Sequence, residues 1–303
     1  MSTLFIIGNG FDLFNGLYTR YADFHKFVSE NYRDLEDDIE EYFSFSVDDK
    51  YLWKDFENDL ATFNYRNLFD AYNHIDIMSE SFSPSEAFGL EDDISENVDH
   101  LIDKMKAAFT DWIEEVQYPS EKSNTLIFPE NASFINFNYT DTLELLYGIS
   151  KKDILYVHNN ARDLNGELIF GHGKSEENEP AIEELDEDGN SNRTIFTDSE
   201  NAARYPFYAF MKNTNEILND NKEYFAGLKK ITEIIVLGHS LGRPDWTYFR
   251  ELKNLFPNAI WSISYYGESQ KAHLRDIAKD EIEIEESNLK MITIEMMSMI
   301  DFS

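Results

Sequence analysis

The sequence contains no cysteine. That removes disulfides, thiolate-bound zinc and cysteine nucleophiles together, and it fits a reducing compartment. Positive charge is scarce: 26 Lys and Arg stand against 59 Asp and Glu, a formal net charge of −33. A surface of that sign repels phosphate backbones and anionic lipid, so direct nucleic-acid binding is not expected. No apolar run approaches the ~18–20 residues that span a bilayer, so no membrane association is expected either. The first apolar stretch lacks a basic flank and reads as a strand, not as a signal peptide. A cytoplasmic location is the expectation.

Apolar bulk, by contrast, is plentiful. Hydrophobic residues make up 42% of the 303 positions and aromatics 15%, with 24 Phe and 17 Tyr, which excludes global disorder. The length is about where one core stops growing and a second lobe appears. The acidic residues are scattered along most of the chain. That scatter fits solubility or a salt-adapted proteome ahead of DNA mimicry or recruitment of a basic partner.

Residues 3–7 (TLFII) form an apolar run that stops at glycine, the pattern of a buried strand and a tight loop. Tyr21, Phe24 and Phe27 then recur at helical spacing, as do Trp53, Phe56, Leu60 and Phe63. The clearest helix is expected from Val98 to Val116, with Leu101, Ile102, Met105, Phe109, Trp112 and Ile113 on one stripe. From residue 125 the pattern changes to short β-rich runs at 126–128, 134–137, 154–157, 168–170, 234–237, 259–263 and 290–295. Strands alternating with helices predict an α/β, Rossmann-like fold with a mostly parallel sheet flanked by helices. Within one domain of 1–303, residues 1–20 and 120–303 are expected to form the α/β core. Residues 21–118 are expected to form an inserted helical cap. The stretch 174–193 is acidic and polar; its DEDGN places glycine wrongly for an EF-hand and reads as a surface loop.

Gly8-Asn9-Gly10 follows the first strand directly. Glycine permits positive φ and lets amides approach a phosphate where a helix begins. The dinucleotide fingerprint would need a third glycine where Leu13 stands, and a Walker lysine is missing. On these residues alone, a phosphate cradle and a plain tight turn both remain open.

The run continues through Asp12, Gly16-Leu17-Tyr18-Thr19, Tyr21 and Phe24, and it resembles the opening motif of the AbiH family, GNGFDLxxGLxTxYxDF. Three further segments follow in the family's order: FNYTDTLE at 137–144, YVHN at 156–159 with FGHG at 170–173, and LGHSLGRPDW at 237–246. The resemblance implies a role in abortive infection, in which an infected bacterium stops growing before phage can multiply. The motif order is in turn similar to that of sirtuin-like NAD-consuming domains. This second resemblance implies NAD or a related nucleotide as substrate or ligand.

On that reading Gly8, Asn9, Gly10, Phe11, Thr19, Tyr139, Gly238, His239, Ser240 and Asp245 contact the nucleotide, His239 and Ser240 on its adenosine half. His158 is the general base. Asn138 orients the ribose or the attacking water, and Asp12 orders the glycine loop or the nicotinamide ribose. Plainer roles stay open beside these: a hydrogen-bonded structural His158, and an Asn138 that caps a helix beginning near Thr140. His158 is followed by Asn159 where the family pattern has glycine, which leaves His172 as a competing histidine. The seven histidines are dispersed with no His-x-x-x-His pair, so no metal site is expected.

Gly238-His239-Ser240-Leu241-Gly242 also matches a nucleophile elbow after a strand. Against a serine hydrolase stand Pro244, early in the helix the elbow must launch, and His273, in a helical-looking stretch. Three functions therefore compete: a nucleotide-consuming enzyme, a nucleotide-sensing module that signals to a phage or host trigger protein, and an acidic DNA mimic. An oligomer is compatible with each.

Overall fold

The computed structural model describes residues 2–45, 53–120, 126–162, 166–177, 181, 185–186 and 188–299. Six strands are present among them: β1 (Ser2–Ile7), β2 (Ser133–Asn136), β3 (Ile154–Tyr156), β4 (Ile231–Leu237), β5 (Ile260–Ser264) and β6 (Leu289–Ile292). The helices are α1 (Asn9–Phe14), α2 (Tyr21–Asn31), α3 (Arg33–Tyr42), α4 (Phe56–Asp59), α5 (Tyr65–Tyr72) and α6 (Pro84–Glu115) in the first half. The second half carries α7 (Thr142–Tyr147), α8 (Thr197–Ala209), α9 (Thr214–Asp220), α10 (Lys222–Gly227), α11 (Trp246–Leu255) and α12 (Glu268–Asp280). The chain divides into two compact units: Met1–Arg20, Ile113–Ile169 and Asn213–Ser303 form one, Tyr21–Trp112 and Phe170–Lys212 the other.

The first unit is built on one sheet with the strand order β3-β2-β1-β4-β5-β6. All five pairings are parallel. The sheet is buried on both faces, which is why its central strands are continuously apolar and do not alternate with polar residues. Leu4 and Ile6 of β1 enter a core with Ile234, Val236, Trp261, Phe249 of α11 and Leu274 of α12. Phe5 and Ile7 enter the opposite core with Phe134, Ile235, Leu237, Phe11 of α1 and Leu143 of α7. This is the expected α/β, Rossmann-like arrangement.

Two apolar triplets expected as strands are not strands. Residues 126–128 and 168–170 have irregular backbone. Phe128 instead seats its ring against Phe5, Phe134 and Tyr147, with centroids 4.9–5.2 Å apart. Leu168 and Phe170 are likewise buried without pairing in the sheet. A run of three apolar residues reports burial but carries no period, so it cannot distinguish a strand from a plugging loop.

In the second unit Phe24 is fully buried, and its ring meets those of Trp53, Phe56, Phe109 and Trp112 at 5.1–5.5 Å. Helix α6 begins fourteen residues before the expected Val98 (98 − 84). Pro84 occupies its first turn, and the Ser83 amide donates to Glu86 Oε1 at 3.0 Å. The buried stripe extends back through Ala87, Leu90 and Ile94, where acidic neighbours and Gly89 hide it in the sequence. Lys212, with its side chain 1% exposed, forms an ion pair with Glu57 at 2.6 Å. The Tyr21 hydroxyl donates to the same carboxylate at 2.8 Å.

The acidic stretch 174–193 lies partly outside the described residues. In its described part the Asp186 carboxylate accepts the amides of Asp188 and Asn190, closing a turn at Gly189. Among the described residues no helix is long and apolar enough to cross a membrane.

Candidate functional site

Strand order reverses between β1 and β4. In open doubly wound sheets ligands bind outside the carboxyl ends of the strands at that switch point. Four chain segments leave the sheet there: Gly8 after β1, Phe137-Asn138 after β2, Val157-His158 after β3 and Gly238-His239 after β4. Nearly every residue singled out in the sequence belongs to one of them.

The glycines serve a contact between backbones. Gly8 N–H donates to Leu237 O at 2.9 Å, and Gly10 N–H donates to Gly238 O at 2.8 Å. A Cβ on Gly8 would lie 2.6 Å from His239 Cα, and one on Gly10 2.8 Å from Gly238 Cα. Gly238 has φ +67°, and its Cβ would fall 2.1 Å from the Phe11 nitrogen. Two of the amides suited to a phosphate cradle are therefore engaged, one by the last residue of β4 and one by the loop after it. Asn9 and Thr19 form a reciprocal pair, Asn9 Nδ2 donating to Thr19 O and Thr19 Oγ1 donating to Asn9 Oδ1, both at 2.6 Å. Phe11 is fully buried in the core beneath the loop.

Asp12 is buried at the centre of this knot. Thr140 Oγ1 donates to its Oδ2 at 2.6 Å and Thr142 Oγ1 to its Oδ1 at 2.7 Å. Burial pushes the Asp12 carboxyl up from 3.8 to about 6, against the opposing pull of hydrogen bonds from Thr140, Thr142 and Asn138. Asn138 Nδ2 also donates to Gly8 O at 3.1 Å, and its own amide donates to Asn136 Oδ1 at 3.0 Å. Asn138 does not cap α7, which starts at Thr142 after Asp141. Asp12 and Asn138 thus bind the GNGFDL and FNYTDT segments to each other.

His158 has a different setting. It is 3% exposed, with Nδ1 3.3 Å from Phe137 O and Nε2 3.7 Å from Asp245 Oδ1. His239 Nε2 approaches the other oxygen, Asp245 Oδ2, at 3.4 Å, while its Nδ1 accepts the Leu241 amide at 2.9 Å. One carboxylate thus stands between two imidazoles. The Phe137 ring packs edge-on against both histidines, 5.5 Å from His158 and 4.5 Å from His239. Tyr139 stacks on His158 at 5.8 Å and donates its hydroxyl to Ile169 O at 3.3 Å. The Tyr248 hydroxyl is buried without a hydrogen-bond partner. Burial, and secondarily the Asp245 charge, push its phenol well above the ordinary range.

Asn159 follows His158 with φ +64°. Asparagine tolerates the left-handed region better than most side chains. Asn159 Nδ2 donates to Glu167 O at 2.6 Å. His172, in the second unit, has both ring nitrogens on backbone groups: Phe207 O at 2.9 Å and the Lys174 amide at 3.2 Å. Desolvation lowers its pKa.

Ser240 is exposed, and the left-handed residues Gly238 and Leu241 flank it. A nucleophile elbow concentrates that strain on the serine itself. His273 is exposed on α12, and the neighbouring His239 directs one nitrogen to Leu241 and the other to Asp245. Among the described residues no group of three or more His, Asp or Glu is arranged to hold a metal ion.

Sequence reasoning placed Asp245 among the binding contacts and did not pair it with the histidines; it passed over Tyr248 altogether. The one available signal was PDWTY at 244–248, directly after the glycine motif.

Fold and site together define a doubly wound, Rossmann-like α/β protein with a His-Asp-His centre at its switch point. The family described as "Bacteriophage abortive infection AbiH" matches residues 4–265, and the chain belongs to that family. No curated protein and no solved structure matches the chain.

Proposed function

We propose that this AbiH protein acts in phage defence by binding a nucleotide at the carboxyl ends of β1 to β4 and hydrolysing it. NAD or a related nucleotide is the substrate class. The observation that carries the reading is the pair of imidazoles held on Asp245 at the switch point. Enclosure by Phe137, Tyr139 and Phe249 keeps bulk water from the rings and strengthens their electrostatics.

In the reaction the bond from ribose C1′ to the base nitrogen breaks and its electron pair leaves with the base. Water oxygen bonds to C1′, and the proton it releases passes to His158 Nε2. Asp245 stabilises the imidazolium so formed. Asp12 and Asn138, engaged within the protein, hold the loops in place. The amides of Gly8 and Gly10 are likewise engaged, so phosphate contacts fall to groups such as the exposed Ser240.

Purified protein incubated with NAD should release nicotinamide, and His158→Ala should lower the rate by about 10²–10⁴, the range for loss of a general acid–base group. A second reading follows from the internal engagement of Asp12 and Asn138: the site senses a nucleotide and signals to a phage or host protein. It predicts that the nucleotide raises the melting temperature without turnover. Neither release nor thermal shift, with infected-cell extract present, would overturn both.

A further inference from the structure

The chain carries a formal net charge of −33, so a phosphorylated substrate approaches against the field of the whole surface. A local cation has to offset that repulsion. The segments that leave the carboxyl ends of β1 to β4, residues 8–20, 137–141, 157–169 and 238–245, contain three cations: Arg20, Arg162 and Arg243. Arg20 is engaged within the protein. Arg162 pairs with Asp141 at 3.2 Å and lies over the Tyr118 ring at 5.0 Å. Arg243 is exposed, and among the described residues its guanidinium has no hydrogen bond, ion pair or ring contact. The loop around it keeps further donors open. Leu241 is left-handed with φ +53°, and its amide is engaged by His239 Nδ1 at 2.9 Å. The amides of Ser240 and Gly242 donate to no described group. A Cβ on Gly242 would fall 3.6 Å from Ser240 Oγ and 3.7 Å from Pro244 Cδ, so the exposed serine hydroxyl and Arg243 belong to one short turn.

We infer that Arg243, with the Ser240 hydroxyl, binds the 5′-phosphate of the ribose that is hydrolysed, so that the site takes phosphorylated nucleotides and discriminates against nucleosides. This assignment rests on the nucleotide hydrolysis proposed above and leaves its chemistry unchanged. Asp245, which holds both imidazoles, follows Arg243 by two residues, so their Cα atoms are at most about 7 Å apart. The 5′-phosphate of a nucleotide is separated from C1′ by one ribose, a span of the same order. The guanidinium presents a planar fork that matches two phosphate oxygens, and it stays charged at any working pH. Ser240 Oγ–H and the amides of Ser240 and Gly242 supply neutral donors beside it. The anion contact that the glycine motif suggested at residues 8–10 thereby moves to residues 240–243. A phosphate held there adds binding equally to ground and transition state, so its loss raises KM and leaves kcat nearly as it was.

Nicotinamide release from NAD, nicotinamide mononucleotide and nicotinamide riboside tests the assignment, because the first two carry the 5′-phosphate and the third does not. In Arg243→Gln, KM for both phosphorylated substrates should rise about 10-fold to 100-fold relative to KM for the riboside, the range for losing charge-assisted hydrogen bonds. Arg243→Lys keeps the charge and loses the fork, so it should fall between the two. Equal shifts for all three substrates, or no shift, overturn the assignment and leave the hydrolysis standing. If no substrate releases nicotinamide, the hydrolysis fails, and titration calorimetry with nicotinamide mononucleotide decides the phosphate site separately. Weaker binding to Arg243→Gln than to the unsubstituted protein upholds it. Equal affinity, or no binding to either protein, overturns it.

Discussion

Replacing Asp12 with asparagine tests the electrostatics of the buried carboxyl that joins the first loop to the loop after β2. The Asp12 carboxyl is displaced from 3.8 to about 6 because it is buried with two hydroxyl donors and no cation. That displacement corresponds to about 3 kcal/mol between the folded and unfolded chain. The folded pKa is raised, so between about pH 4 and 6 the folded protein holds a proton that the unfolded chain has released. Stability from this group is complete below pH 4 and is lost as pH rises through 6, at up to about 1.4 kcal/mol per pH unit. Asp12→Asn lacks the titration. Its side-chain oxygen accepts from one threonine, and the other hydroxyl turns to accept from the amide. Urea unfolding of both proteins between about pH 4.5 and 7.5 isolates the effect, since every other carboxylate cancels in the difference. The unsubstituted protein should lose stability relative to Asp12→Asn until about pH 6, and the gap should then level off. A flat difference, or one of opposite sign, would refute the assignment of burial as the dominant cause.

Gly238→Ala should destabilise by at least about 3 kcal/mol, since it combines a left-handed backbone with a methyl group 2.1 Å from the Phe11 nitrogen. Thermal unfolding within a degree or two of the unsubstituted protein would show that the loop after β4 does not press on the glycine loop. Lys212→Met removes the cation from the buried Glu57 pair and should cost about 3–5 kcal/mol. The double variant with Glu57→Gln should recover more than half of that in chemical denaturation, and additive losses would count against a buried ion pair.

Local chemistry carried much of this protein in its sequence. The apolar run TLFII, the alternation of strands with helices after residue 125 and the ordered motifs were enough for a Rossmann-like α/β fold and for the family. The motifs were legible because each is short and contains residues with narrow tolerances, such as glycine where backbones touch. Where the pattern had too few residues to show a period, as at 126–128 and 168–170, burial was visible but conformation was not. The start of α6 was hidden for a related reason, its apolar stripe being thinned by acidic residues and Gly89.

The roles within the motifs were decided by tertiary structure. Which partner a buried polar group finds depends on which loops the strand order brings together. Sequence spacing does not encode the placement of β4 against β1. That placement engages the amides of Gly8 and Gly10 with the β4 loop, and the strand order brings Asp12 to Thr140 and Thr142. His172 bonds backbone groups through both ring nitrogens, while His158 meets Asp245, 87 positions further along the chain (245 − 158), at 3.7 Å. By itself the sequence determined the family, the fold class and the set of residues gathered at the carboxyl edge. Only the tertiary structure decided which of those residues hold the loops together and which bring two imidazoles to one carboxylate, because strand order sets which loops meet.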